Sequence, residues 1–144
     1  MTRSPRGALI ACLLALSLAS CWSDEDKVSD SQKYYFLESL KQVEEGGRRL
    51  RTPDLDRQAM NEALGMLDQG LRLAFEVDRE FLDGLDLRLG KNFERYFVKG
   101  VENYRLGIEA GDEQQQREGL RLLARWSEFW QAEQAAIRKR LEPG

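Results

Sequence analysis

The residues most able to do chemistry here are acids. Glu44 and Glu45 are adjacent, and Glu76 and Glu80 are one helical turn apart. Two carboxylates can hydrolyse a glycoside when they are held across a cleft and one has a raised pKa. Nothing marks these acids as buried: Glu76 and Glu80 flank Arg79 and can pair with Arg72, as helix-surface acids commonly do. The chain has no histidine. That removes a Ser-His-Asp triad, a Cys-His pair, imidazole metal ligands and the Glu-x-x-His motif of di-iron bundles. No Asp/Asn-rich loop has calcium spacing, and zinc would lack thiolate and imidazole ligands. The expectation is therefore no catalytic residue, no metal and no cofactor. Asp78 is the most unusual polar residue, because it interrupts an apolar helical stripe. It is expected to pair with an arginine such as Arg125 or to lie at the wet edge of that stripe.

Aromatic side chains carry the next signal. Trp126, Phe129 and Trp130 fall within two helical turns, with Trp126 and Trp130 one turn apart on one face and Phe129 displaced. Phe93, Tyr96, Phe97 and Tyr104 lie upstream, and Gly100 and Gly107 share their face. Large rings opposite glycines suit a core. Aromatic residues are also enriched at interface hot spots, and a bundle groove suits capture of a partner helix. Tyr34, Tyr35, Trp126, Phe129 and Trp130 are the candidate partner surface, with Phe129 and the two tyrosines falling off the main stripes.

The elements that would position these residues read as four helices. Helix A is expected from about Ser31 to Arg51, with Phe36, Leu37, Leu40, Val43, Gly47 and Leu50 on one stripe. Gly46-Gly47 weakens its end, where Arg48, Arg49 and Arg51 compensate the helix dipole. Thr52-Pro53-Asp54 signals a new helix, expected to reach about Asp83 with Met60, Leu64, Leu67, Leu71, Phe75 and Leu82 buried. A turn is expected between Gly84 and Gly90. Helix C then covers about Leu87 to Ala110, where Gly111 stops it and Asp112 caps the next. Helix D runs from Glu113 to about Leu141. Short links between long helices favour antiparallel neighbours, so the expected fold is all-α, an up-down-up-down four-helix bundle. An array of two similar helical hairpins is the competing arrangement.

The chain has 144 residues, enough for one domain, with 42% hydrophobic and 33% charged residues. Its N-terminus reads as an address. Arg3 and Arg6 precede an apolar run from Ala8 to Ala19, broken only by Ser17 and too short to span a bilayer. The run ends in Leu18-Ala19-Ser20-Cys21. This resembles the lipobox of bacterial lipoproteins. The resemblance implies diacylation of the Cys21 thiol, cleavage between Ser20 and Cys21, and acylation of the new amine. It covers only the first 21 residues. The expected organisation is a signal peptide over 1–20, a flexible acidic tether over 21–32 and a helical bundle over 33–144. Cys12 leaves with the signal, so the mature chain would contain no disulfide.

Removing residues 1–20 takes away two arginines and no acid, leaving 20 basic and 25 acidic residues and moving the net charge from −3 to −5. No basic face for nucleic acid is expected. Trp22, rather than an aspartate, follows Cys21. By the same resemblance this favours the periplasmic face of the outer membrane. In an up-down-up-down bundle the tether, the B–C turn and the end of helix D share one end. This would gather Arg88, Lys91, Arg138, Lys139 and Arg140 near the lipid headgroups, each cation adding about 1 kcal/mol at an anionic surface.

The functional expectation is a lipid-anchored, non-enzymatic interaction module, an adaptor, pilot or assembly factor for an envelope complex. Its partners would be the bilayer, through acylated Cys21, and an envelope protein. The general plan is similar to that of small helical lipoproteins that escort secretins, although some of those carry a disulfide. A protective inhibitor, such as an immunity or exclusion lipoprotein, would use the same anchor.

Overall fold

The computed structural model describes the backbone of residues 24–142 and side chains from residue 29 onward. The lipobox, including Ser20 and Cys21, lies outside the described residues, as do Pro143 and Gly144. The described chain is all-helical: α1 (Asp24–Leu50), α2 (Arg57–Phe75), α3 (Arg79–Leu85), α4 (Leu89–Asn92), a π-helical segment (Phe93–Val98), α5 (Lys99–Ala110) and α6 (Glu113–Leu141). α4, the π segment and α5 run on as one rod.

Two seams organise these helices. α1 packs along α2, and α5 packs along α6. α1 and α6 meet through side chains rather than along a backbone seam. Between the pairs lies one apolar core, with Phe36 from α1, Leu67 and Leu71 from α2, Leu82 from α3, Phe93 and Phe97 from the π segment, and Trp126 and Ile137 from α6. Burial of large apolar side chains, each contributing roughly 1.5–3 kcal/mol, holds these marginal helices together.

The caps follow local chemistry. Asp56 caps α2 by accepting the Ala59 amide at 2.8 Å. Asp112 caps α6 by accepting the amides of Gln114 and Gln115, directly after Gly111 takes a left-handed φ of 66°. Glycine tolerates that conformation because it has no Cβ.

Three expectations need correction. Helix B is not continuous: it starts at Arg57, four residues past Pro53, and stops at Phe75, and α3 begins at Arg79. The break is held from outside. Buried Gln32 of α1 donates to the Glu76 carbonyl at 3.0 Å and accepts the Asp78 amide at 2.6 Å. One side-chain amide thus satisfies two backbone groups that the break leaves without helical partners. Two residues expected in the core are exposed, Met60 at 38% and Phe75, at the bend, at 66%. Second, α1 starts at Asp24, so the expected boundary between tether and bundle at residue 33 falls inside a helix. Gln32 and Lys33 fasten this part of α1 to the body, Lys33 by donating to the Leu141 carbonyl at 2.6 Å. Third, helix C contains six residues of π-helix. The wider turn lets Phe93 and Phe97 stack with centroids 4.9 Å apart and turns Val98 inward as well.

Candidate functional site

The aromatic cluster is built from three elements. Phe36 meets Phe93 edge-on at 5.5 Å and Trp130 at 5.7 Å. Trp126 contacts Phe93, Phe97, Phe129 and Trp130, stacking on the last at 5.6 Å. Phe36, Phe93, Phe97 and Trp126 are buried. Trp126, expected as a candidate partner contact, is therefore a core residue, because its position on α6 faces the π segment. Phe129 and Trp130 are half-buried at the edge of the same cluster. The Arg88 guanidinium lies 5.6 Å from the Phe129 ring, and that of Arg138 lies 5.6 Å from the Trp130 ring. Each arginine covers a ring while keeping its charge in water.

Trp130 forms one wall of a groove between α1 and α6. Leu37, Glu38, Leu40, Lys41 and Glu44 line it from α1, and Arg138 joins Trp130 from α6, around a volume of about 370 Å³. A second hollow of about 340 Å³ shares Leu37 and Glu38 and extends to Asp30, Lys33 and Tyr34. Leu37 links the two into one trough. Tyr34 is 57% exposed along it, and half-buried Tyr35 packs edge-on against the Tyr34 ring at 5.9 Å. The trough therefore brings together Tyr34 and Trp130 from the expected surface. Tyr35, Phe129 and Trp126 do not line it.

The trough owes its width to side-chain chemistry. α1 lies close to α2 because Gly46 and Gly70 let their backbones approach, while its contact with α6 rests on Phe36, Trp130 and Lys33. Lys41 pairs with Glu38 at 3.3 Å, and Gln42 donates to Glu38 at 2.8 Å. The Gln42 bond, ahead of the Lys41 contacts, holds the Glu38 carboxyl below its usual range. The rim is thus apolar within and polar at its edge.

The five expected basic residues are used unevenly. Arg88 bridges Asp86 at 3.2 Å and Glu133 at 2.9 Å. The Arg88 side-chain bond, then the Arg88 backbone N–H, lowers the Asp86 pKa. Arg140 donates to the Leu85 carbonyl, tying the end of α6 to the end of α3. Arg138 lies over Trp130. Lys91 and Lys139 are exposed and make no ion pair among the described residues. Tertiary contacts thus occupy three of the five.

The expected acids form no cleft constellation. Glu45 pairs with Arg48 at 2.7 Å and Arg49 at 2.9 Å, and hydrogen bonds from both lower its pKa. Glu44 is exposed on the rim of the trough. Glu76 and Glu80 are exposed on either side of the helix break, and Arg72 bonds Gln69 instead. Asp78 lies on no apolar stripe: it is the exposed first residue before α3, and its backbone, not its carboxylate, contacts Gln32. Burial raises the Tyr104 pKa. No group of three or more potential metal ligands occurs among the described residues.

Gln32 is the polar residue that sequence reasoning missed. It lay in a stretch read as tether, and its only sequence signal is proximity to the stripe that begins at Phe36. Gly119 was likewise missed, although its contact with Tyr104 sets the α5–α6 seam. No described helix is long and apolar enough to cross a membrane. No protein-family model, curated protein or solved structure shows a match to this chain.

Proposed function

We propose that the chain is a lipid-anchored, non-enzymatic interaction module of the cell envelope: an adaptor, pilot or assembly factor held at the periplasmic face of the outer membrane through acylated Cys21. Its four rods, the second broken at Glu76–Asp78, run up-down-up-down, and the α1–α6 trough seats an envelope protein. The trough carries this reading, because Tyr34, Leu37, Leu40 and Trp130 present apolar surface inside a charged rim. Such a surface suits an amphipathic helix or an apolar loop. Hydrogen-bonding partners hold the Glu38, Glu45, Asp86 and Glu118 carboxyls below their usual range.

Affinity capture of the acylated protein from crosslinked envelopes tests the reading, with Cys21→Ser as the unanchored control. A stoichiometric envelope protein is the expected result. Tyr34→Ala should reduce its capture while leaving the melting temperature nearly unchanged, since Tyr34 is exposed. Capture that is indifferent to Tyr34→Ala and to Leu37→Glu would remove the trough from the proposal. Absence of any native partner would overturn the adaptor reading.

A further inference from the structure

The end of the body that carries the N-terminal half of α1 has an apolar tip. Leu87, in the α3–α4 turn, is 88% exposed, more than any other exposed large hydrophobic residue described. The turn is fixed to the body from both sides. Arg140 of α6 holds the Leu85 carbonyl, and Arg88 bridges Glu133 of α6 at 2.9 Å. Leu87 is thus presented on a braced turn. Exposed Lys91 lies one helical turn along, and exposed Lys139 adjoins Arg140. The acids at this end include Asp30, Asp83, Asp86, Glu133 and Glu142; Asp86 and Glu133 are paired with Arg88, and Asp83 with Arg79.

Chain length limits how far the anchoring residue can lie from this end of α1. Ser29, Asp30 and Lys33 of α1 line one hollow with Leu85, Arg140 and Leu141, so the α3–α4 turn lies level with that part of α1. Asp24 to Ser29 is five residues, about 8 Å of helix. Cys21 to Asp24 is three residues, at most about 11 Å of chain. Ser29, on the α1 side of that hollow, therefore lies within roughly 20 Å of the anchoring residue, and a tilt of α1 would bring the tip to the bilayer.

We infer that the α3–α4 turn is a lipid-surface contact: Leu87 enters the headgroup region, and Lys91 and Lys139 face phospholipid phosphates. This rests on the anchored reading of Cys21. An exposed leucine beside lysines is the composition of an interfacial contact, with the apolar group below the headgroups and the cations at them. The contact orients the body, so that the trough is presented in a constant direction to the periplasm rather than swinging about the anchor.

The test uses the acylated chain in vesicles of phosphatidylethanolamine and phosphatidylglycerol containing nitroxide-labelled lipid. Acylation consumes the Cys21 thiol, so Gly84→Cys supplies a single site for an environment-sensitive dye. Gly84 is exposed with open space around its Cβ position, which leaves Leu87 intact. Thr52→Cys marks the opposite end of α1. The expected result is nitroxide quenching of the dye at position 84 and not at 52, lost on adding Leu87→Glu and reduced by Lys91→Glu with Lys139→Glu. Leu87→Glu changes an exposed side chain, so folding is retained and circular dichroism checks it. Acylated protein that floats with vesicles while the dye at 84 stays unquenched overturns the docking proposal alone. Quenching that survives Leu87→Glu overturns it too. An N-terminal peptide whose mass lacks acyl chains overturns the anchor reading, and the docking with it.

Discussion

The α1–α2 and α5–α6 pairs both close over small residues, but they meet different obstacles. A Cβ on Gly70 would lie 2.5 Å from a Val43 methyl, and one on Gly46 would lie 2.9 Å from the Ala63 carbonyl. In the second pair the obstacle is mostly main chain. A Cβ on Gly119 would lie 2.4 Å from the Tyr104 amide nitrogen, and one on Gly107 would lie 2.5 Å from that of Gln116. Gly100 faces the Leu123 side chain at 2.9 Å. The α5–α6 seam is therefore close to backbone on backbone. The α1–α2 seam keeps a side chain between its helices at Gly70. A side chain can change rotamer, whereas a packed helix backbone moves only as a unit.

This difference ranks three substitutions. Gly119→Ala should destabilise most, by about 3 kcal/mol, because α5 and α6 must separate. Chemical denaturation reads it as a lower midpoint with an unchanged slope. A loss below about 1 kcal/mol would show that the α5–α6 seam is as compliant as its counterpart. Gly70→Ala should cost roughly 1 to 2 kcal/mol, less than Gly119→Ala because its nearest backbone obstacle, the Ser39 carbonyl, lies at 3.2 Å and alanine favours helix, although the β-branched Val43 must shift with its helix. If it equals Gly119→Ala in the same titration, the two seams do not differ. Gly65→Ala is the internal control. Nothing lies within 4 Å of its Cβ position, so thermal melting should show a gain of about 0.5–1 kcal/mol from helix propensity alone.

The two pairs also differ in how their connections are made. Gly111-Asp112 joins α5 to α6 with a left-handed glycine and a capping carboxylate, both readable as local signals. The α6 limits, Glu113–Leu141, agree with the sequence expectation. At Thr52-Pro53-Asp54 the local signal misleads. Proline and threonine there do not start the helix; Asp54 takes a positive φ of 56°, and Asp56 provides the cap instead. The break at Glu76–Asp78 has no glycine or proline to announce it. It depends on Gln32, more than forty positions away in the chain.

The trough was partly legible in the same way. Tyr34 and Trp130 could be named from their types and stripe positions. That Trp126 turns inward while Trp130 reaches the edge could not, because both occupy one face of α6 and only the π segment opposite decides which is covered. The basic residues show the same limit. The pair of Arg88 with Asp86 is local, two residues apart, but its pair with Glu133 required the α3–α4 turn and α6 to meet.

By itself the sequence determined the all-helical class, the Gly111-Asp112 stop and cap, and the limits of α6. These depend on residues within about one or two turns of each other, where propensity, capping and dipole effects operate. Tertiary structure decided the helix break, the π segment, the burial of Trp126 and the opening of the α1–α6 trough. Each arises where a side chain from a distant part of the chain satisfies a backbone group or fills a volume that no local pattern encodes.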